Sequence, residues 1–131
     1  MNAFAYNWGG ETAWIHCPYL MVGRVWRKLQ HDGGVATMLI PLWESATWWR
    51  LVVPDAAHFA EAVVDWVWLP RADPDLFVPG TAPGRVIEPP DWPIMAVRID
   101  FSVGGDRRRI PLHDRCVHRG CSACMCRTWH R

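Results

Sequence analysis

Residues 13–42 constrain the fold more than any other part of the chain. Ala13 to Cys17 (AWIHC) is a short, mostly apolar run that stops at a Cys17-Pro18-Tyr19 corner. From Tyr19 to His31 the apolar positions are Leu20, Met21, Val22, Val25, Trp26 and Leu29, with Arg24, Arg27, Lys28 and Gln30 between them. That three-and-four spacing predicts an amphipathic helix, and Asp32-Gly33-Gly34 predicts its end. Val35 to Leu42 then runs apolar without a break, the pattern of a strand covered on both faces. Strand, corner, helix, strand in this order predicts a parallel pair joined by a helical crossover. In open α/β sheets, ligands bind in loops at the carboxyl ends of such strands, which makes the corner the first place to look for a site.

The rest of the chain is less regular. Residues 1–12 are short and turn-rich, with Gly9-Gly10 as a turn. After Trp48-Trp49, Pro54-Asp55 resembles a helix start, and Ala56 to Val64 has helical spacing of apolar and polar residues. Asp65 to Leu69 (DWVWL) predicts a strand that Pro70 stops. Residues 70–93 hold seven of the eleven prolines and predict loop, with one short strand around Leu76 to Val78. Ile94 to Phe101 predicts a last strand. The expected fold is therefore α/β: a partial Rossmann-like three-layer sheet with helices, irregular Pro-rich loops and a basic Cys-rich tail. Residues 1–101 form the α/β unit and 102–131 a flexible tail.

At 131 residues and 50% hydrophobic, the chain is long and apolar enough for one buried core. A net charge of +1 gives no overall attraction to nucleic acid. No apolar run reaches the roughly 18 residues that span a membrane, and the N-terminus has no signal-peptide pattern. These features predict an intracellular chain with reduced cysteines and no membrane partner. Ten tryptophans are more than a domain this small buries easily, since each indole N–H also needs a partner. Some are therefore expected to line a groove or cover an interface, against the plainer alternative of half-exposed packing. The pair Trp48-Trp49 is a candidate wall of a base-binding groove, because indoles stack on bases; packing at a helix start is the alternative. Arg24, Arg27 and Lys28 share one helix face and are candidate phosphate contacts, with an ordinary solvated face as the alternative. His58 is a weaker candidate for a base than for a solvated residue. The scattered Asp65, Asp73, Asp75, Asp91 and Asp100 make no carboxylate dyad.

The order WIHCPY, amphipathic helix, MLIPLWESATWW resembles the adenine-N6 DNA methyltransferase-like segment of DIRS-type retroelement polyproteins. There it follows the reverse transcriptase and RNase H regions, and it is similar in turn to phage-type Dam methyltransferases. The resemblance takes in NAFAYNWGG, PDAAHF, DWVWLP and PDWPIMAVRIDF, and so covers residues 1 to 101. The signature of those enzymes is Asn-Pro-Pro-Tyr (or Phe or Trp) after a strand. The resemblance implies that the Asn oxygen and a backbone carbonyl accept the two hydrogens of the adenine amine, while the aromatic residue stacks on a base turned out of the duplex. Here His16 stands in the Asn place, Cys17 and Pro18 in the two Pro places, and Tyr19 in the aromatic place. A neutral His accepts a single hydrogen bond, and Cys17 restores a backbone donor to the turn. The stacking residue is kept and the amine clamp is altered.

S-adenosylmethionine is the cofactor the resemblance implies. Binding it calls for a glycine-containing strand–loop–helix and an acidic residue for the ribose. Only thirteen residues precede Trp14, so the chain is expected to be the downstream part of such a domain, with no bound cofactor.

The tail offers Cys116-x4-Cys121-x2-Cys124-x-Cys126 among seven arginines between Arg107 and Arg131. Four thiolates are a possible tetrahedral zinc set, and a zinc knuckle flanked by arginine suits nucleic acid. The alternative is an extension whose cysteines hold no metal, since a second widely separated pair is absent. The expected function is a retrotransposon-derived, non-catalytic fragment related to adenine-N6 methyltransferases, with residual nucleic-acid binding at His16, Pro18, Tyr19, Trp48 and Trp49. DNA or the rest of the polyprotein is the expected partner. One alternative is an active methyltransferase module completed by a partner chain. The other is a zinc-dependent nucleic-acid-binding module built on Cys116, Cys121, Cys124 and Cys126.

Overall fold

The computed structural model describes residues 2–55, 57–69, 92–104 and 107–112. The corner and crossover form as the sequence predicts. Strand β1 (Thr12–Ile15) ends at the corner, a 3-10 turn over Tyr19–Met21 follows, and helix α1 (Val22–Asp32) leads to strand β2 (Val35–Pro41). No side chain caps the start of α1; the 3-10 turn does so, with the Met21 N–H donating to the Pro18 carbonyl at 2.8 Å. The helix ends because Gly33 takes the left-handed conformation (φ 67°), which costs glycine no Cβ clash. The amides of Gly33 and Gly34 then both donate to the Leu29 carbonyl. Val22, Val25, Trp26 and Leu29 make up the buried stripe.

Beyond β2 come a short helix α2 (Trp49–Val52), strand β3 (Val63–Trp68) and strand β4 (Ile94–Asp100). The sheet order is β1-β2-β4-β3. β1 is parallel to β2, and β4 runs antiparallel to both β2 and β3. Strands β1, β2 and β3 therefore share one direction, with only β4 reversed between them. One sheet face carries the core: Ala36, Met38 and Ile40 of β2 and Met95, Val97 and Ile99 of β4 are all 0% exposed. A register shift between Val63 and Asp65 makes Val64 the extra residue, so that Val63, Trp66 and Trp68 all point inward. Both helices join this one cluster.

Four expectations are corrected. The described residues form two layers, not three, because both helices pack on the same sheet face. On the opposite face a row of one residue per strand, Trp14–Thr37–Arg98–Asp65, lies open, and the Arg98 guanidinium donates to Thr37 Oγ1 at 3.3 Å. Near the carboxyl end of β2, Leu39 and Ile94 on that face are buried, so only the second half of β2 is covered on both sides.

The helix expected over Ala56–Val64 does not form. Asp55 does accept the amides of Ala57 and His58, at 3.1 and 2.8 Å, as a helix N-cap would. The following amides are taken by tertiary partners instead: Phe59 donates to Ile110 and Ala60 to Val52. Residues 107–112, assigned to the tail from sequence, belong to the packed body. Leu112 is 3% exposed and donates its amide to Ala57, and Arg109 donates to the carbonyls of His58 and Phe59. The expected strand at Leu76–Val78 and the tail cysteines lie outside the described residues. Among the described residues, no helix is long and apolar enough to cross a membrane.

Candidate aromatic site at the strand ends

His16, Cys17, Pro18 and Tyr19 follow β1 directly, at the carboxyl end of the parallel pair. Pro18 (φ −53°, ψ 138°) holds the chain extended before it turns into the 3-10 segment, so the Tyr19 ring is delivered at the sheet rim. Trp43 follows β2 by two residues, and Trp92 precedes β4 by two. Because β4 runs antiparallel to β2, its start lies at the same rim as the end of β2. The Leu42 amide donates to the Pro93 carbonyl there at 2.9 Å.

Three ring systems from three strand ends consequently meet. Tyr19 stands edge-to-face with Trp43 (centroids 5.1 Å apart, planes at 84°) and with Trp92 (6.5 Å, 76°). Trp43 and Trp92 are 5.1 Å apart at 66°. These are the favoured tilted geometries of aromatic pairs. His16 sits on Tyr19 at 6.4 Å with its ring tilted by 38°. Beside this cluster is an open pocket of about 310 Å³ lined by His16, Cys17, Pro18 and Tyr19. Partial burial pushes the Tyr19 phenol above its ordinary value; the Trp92 indole opposes this and Cys17 adds to it. The buried Trp92 Nε1 has no hydrogen-bond partner among the described residues. Burial likewise raises the Cys17 thiol, partly offset by a backbone hydrogen bond. Cys17 is thus a protonated thiol at neutral pH, not a poised nucleophile.

Of the residues singled out from sequence, His16, Pro18 and Tyr19 come together. Trp48 and Trp49 do not join them. Each is 5% exposed, and they lie in the hydrophobic cluster at the start of α2 with ring centroids 5.9 Å apart. The close approach of α1 to this pair uses Gly23, where a Cβ would stand 3.2 Å from Trp48 Cβ. Trp48 and Trp49 are core, and the aromatic walls beside Tyr19 are Trp43 and Trp92. The available signal for those two was positional: each flanks a strand end, and antiparallel pairing of the last strand makes the two ends coincide.

Two of the three basic side chains on the basic face of α1 are likewise engaged, and Arg27 is exposed. Arg24 lies 4.0 Å over the Phe4 ring. Lys28 pairs with Asp32 at 2.7 Å, and Asp32 also accepts the Trp8 amide at 2.8 Å. These contacts fasten residues 4–8 to the helix and leave Arg24 and Lys28 engaged. His58 belongs to a surface ion cluster in which Asp55 Oδ2 is 3.6 Å from His58 Nδ1 and 3.0 Å from Arg109. A second pocket, about 230 Å³, lies at the opposite end of the sheet between Glu61, Asp100, Phe101 and Arg107. Its arginine is spent on closing a turn, donating to the Asp100 and Val103 carbonyls at 3.0 and 3.2 Å.

A methyl-donor cradle would need glycine in the turn between strand and helix, so that the backbone can approach the ligand. The β1–α1 turn instead carries Cys17, Pro18 and a 3-10 segment, so this turn is not such a cradle. Among the described residues there is no group of three or more His, Cys, Asp or Glu side chains that could hold a metal. Comparison with known protein families, with characterised proteins and with solved structures finds no match.

Proposed function

We propose that this chain is a methyltransferase-like α/β unit of retroelement origin that holds a nucleobase at its aromatic corner and does not itself transfer a methyl group. The observation that carries the proposal is the placement of His16–Tyr19. The corner directly follows β1, beside the end of the parallel strand β2, and lines a pocket of about 310 Å³. That volume is at the small end of ligand sites and suits a single base-sized ring rather than an extended cofactor. Tyr19 supplies a stacking face. The His16 imidazole lines the same pocket, and with one acceptor at most it does not reproduce the two-point clamp of a carboxamide and a carbonyl. Cys17, held protonated by burial, adds no nucleophile.

The test is isothermal titration of the full chain with S-adenosylmethionine and, separately, with an adenine-containing single-stranded oligonucleotide. Heat from the oligonucleotide and none from millimolar methyl donor is the expected pair of results. Saturable binding of the donor would overturn the non-catalytic part, and a silent oligonucleotide would overturn base binding.

A second reading rests on a different observation. β1 is an edge strand paired only with β2 among the described residues, and Thr12–Ile15 carries no charge, bulge or proline to guard that edge. A partner chain that added a parallel strand there would extend the sheet past the corner, as a methyltransferase module completed in trans requires. Methyl transfer to adenine seen only with a partner chain present would favour this second reading over the first.

A further inference from the structure

Trp92 is placed unlike the buried tryptophans. Trp26, Trp48, Trp49, Trp66 and Trp68 all belong to the one hydrophobic cluster, whereas Trp92 does not. Its ring contacts are with Tyr19 and Trp43, both at the site. Its Nε1 is buried without a hydrogen-bond partner among the described residues. A half-buried indole that contributes nothing to the core and meets the site tyrosine edge-on has a specific mechanical consequence. Tyr19 opens a single 3-10 turn after a one-proline corner, and a half-exposed tyrosine so placed would otherwise sample several rotamers. With Trp43 from the end of β2 and Trp92 from the start of β4 against it, the ring is located by strand ends hydrogen-bonded to each other through Leu42 and Pro93.

We propose that Trp92, assisted by Trp43, is a positioning residue that fixes the Tyr19 ring as a preformed platform for one unpaired nucleobase. The inference rests on the base-binding function proposed above and adds to it the group that sets the platform's orientation. Preorganisation of this kind lowers the ordering cost of binding, so its loss weakens affinity without removing a contact to the ligand. Trp43 also packs on the hydrophobic cluster, so the two braces differ. Removing Trp92 loosens the ring alone, and removing Trp43 also disturbs the fold.

The probe is a single-stranded oligonucleotide containing one 2-aminopurine, whose fluorescence is quenched when it stacks on an aromatic ring. The full chain is compared with Trp92→Ala, Trp92→Phe and Tyr19→Ala, with unfolding of each followed by circular dichroism. The wild-type chain quenches the probe and Tyr19→Ala abolishes the quenching. Trp92→Ala binds about fivefold more weakly and quenches less at saturation, the scale of one lost aromatic pair. Trp92→Phe, which keeps a ring and loses the N–H, restores the saturating quench. A purely structural tryptophan would alter unfolding but not the quench at saturation. If Trp92→Ala matches wild type in affinity and quench, the positioning role is overturned while base binding stands. If Trp92→Ala unfolds at markedly lower denaturant, the residue holds the fold and the role is likewise overturned. If the wild-type chain neither binds nor quenches, base binding itself fails and the positioning role falls with it.

Discussion

Two tryptophans of the same chain test the division between core and surface directly. Trp49 is 5% exposed and packs in the cluster with Trp48 and Val52; Trp14, on the edge strand, is 67% exposed. Truncating a buried tryptophan to alanine removes its transfer free energy and leaves a cavity the neighbours only partly fill, together about 3–5 kcal/mol. Truncating an exposed one away from special features changes stability by no more than about 0.5 kcal/mol. A domain of this kind has about 5–15 kcal/mol in total, so Trp49→Ala removes a large share and Trp14→Ala very little. With a urea dependence of about 2 kcal/mol per molar, the midpoint of Trp49→Ala falls by about 2 M and that of Trp14→Ala by less than about 0.3 M. Far-ultraviolet circular dichroism is the right signal, because ten tryptophans make intrinsic fluorescence ambiguous. Where Trp49→Ala does not fold at all, Trp49→Phe gives a smaller loss in the same direction. A Trp49→Ala midpoint within about 0.3 M of wild type would refute the core assignment and favour the groove-wall alternative over packing at a helix start. An equally large loss for Trp14→Ala would show that the open sheet face is covered.

Replacing Gly33 with alanine forces a Cβ into the left-handed conformation at the end of α1 and is expected to cost about 1 kcal/mol by urea unfolding. Leu112→Ala should destabilise by about 2–5 kcal/mol, because Leu112 is buried against the body; a neutral result would return residues 107–112 to the tail. The carboxylates of Asp32, Asp55 and Asp100 are all held below the ordinary aspartate value of 3.8. Lys28 is the largest cause for Asp32, the His58 amide for Asp55 and the Ser102 hydroxyl for Asp100. A depressed acid contributes stability that is fully present above its unfolded value and is lost as pH falls toward its folded one. Stability should therefore be flat on this account above about pH 5 and decline below about pH 4, with Asp32→Asn showing a shallower decline; identical acid limbs would contradict the assignment.

The local elements were legible because their causes are local. The alternation of Val22, Val25, Trp26 and Leu29 sets a helix face, and Gly33 stops the helix because it adopts a positive φ without strain. The apolar run from Val35 makes a strand wherever it is buried. The corner of His16–Tyr19 was legible for the same reason, since a proline after a short strand turns the chain within a few residues. Asp55 shows where such reasoning ends: its carboxylate caps two amides as a helix N-cap would, yet no helix follows. Whether the next amides bond four residues back or to Ile110 and Val52 depends on what lies nearby in space.

The site follows that division. That Tyr19 sits at a strand end is a property of residues 12–19 alone. That Trp43 and Trp92 reach it, and that Trp48 and Trp49 do not, was decided by the reversed strand β4. Antiparallel pairing brings a residue 73 positions from Tyr19 to the same rim, whereas Trp48 and Trp49, much nearer in sequence, turn under α1. Sequence determines which residues prefer helix, strand or turn, because those preferences are energies of the residue and its immediate neighbours. Which aromatic rings share a pocket is settled by strand order and direction, because only the pairing of distant backbone segments puts their ends together.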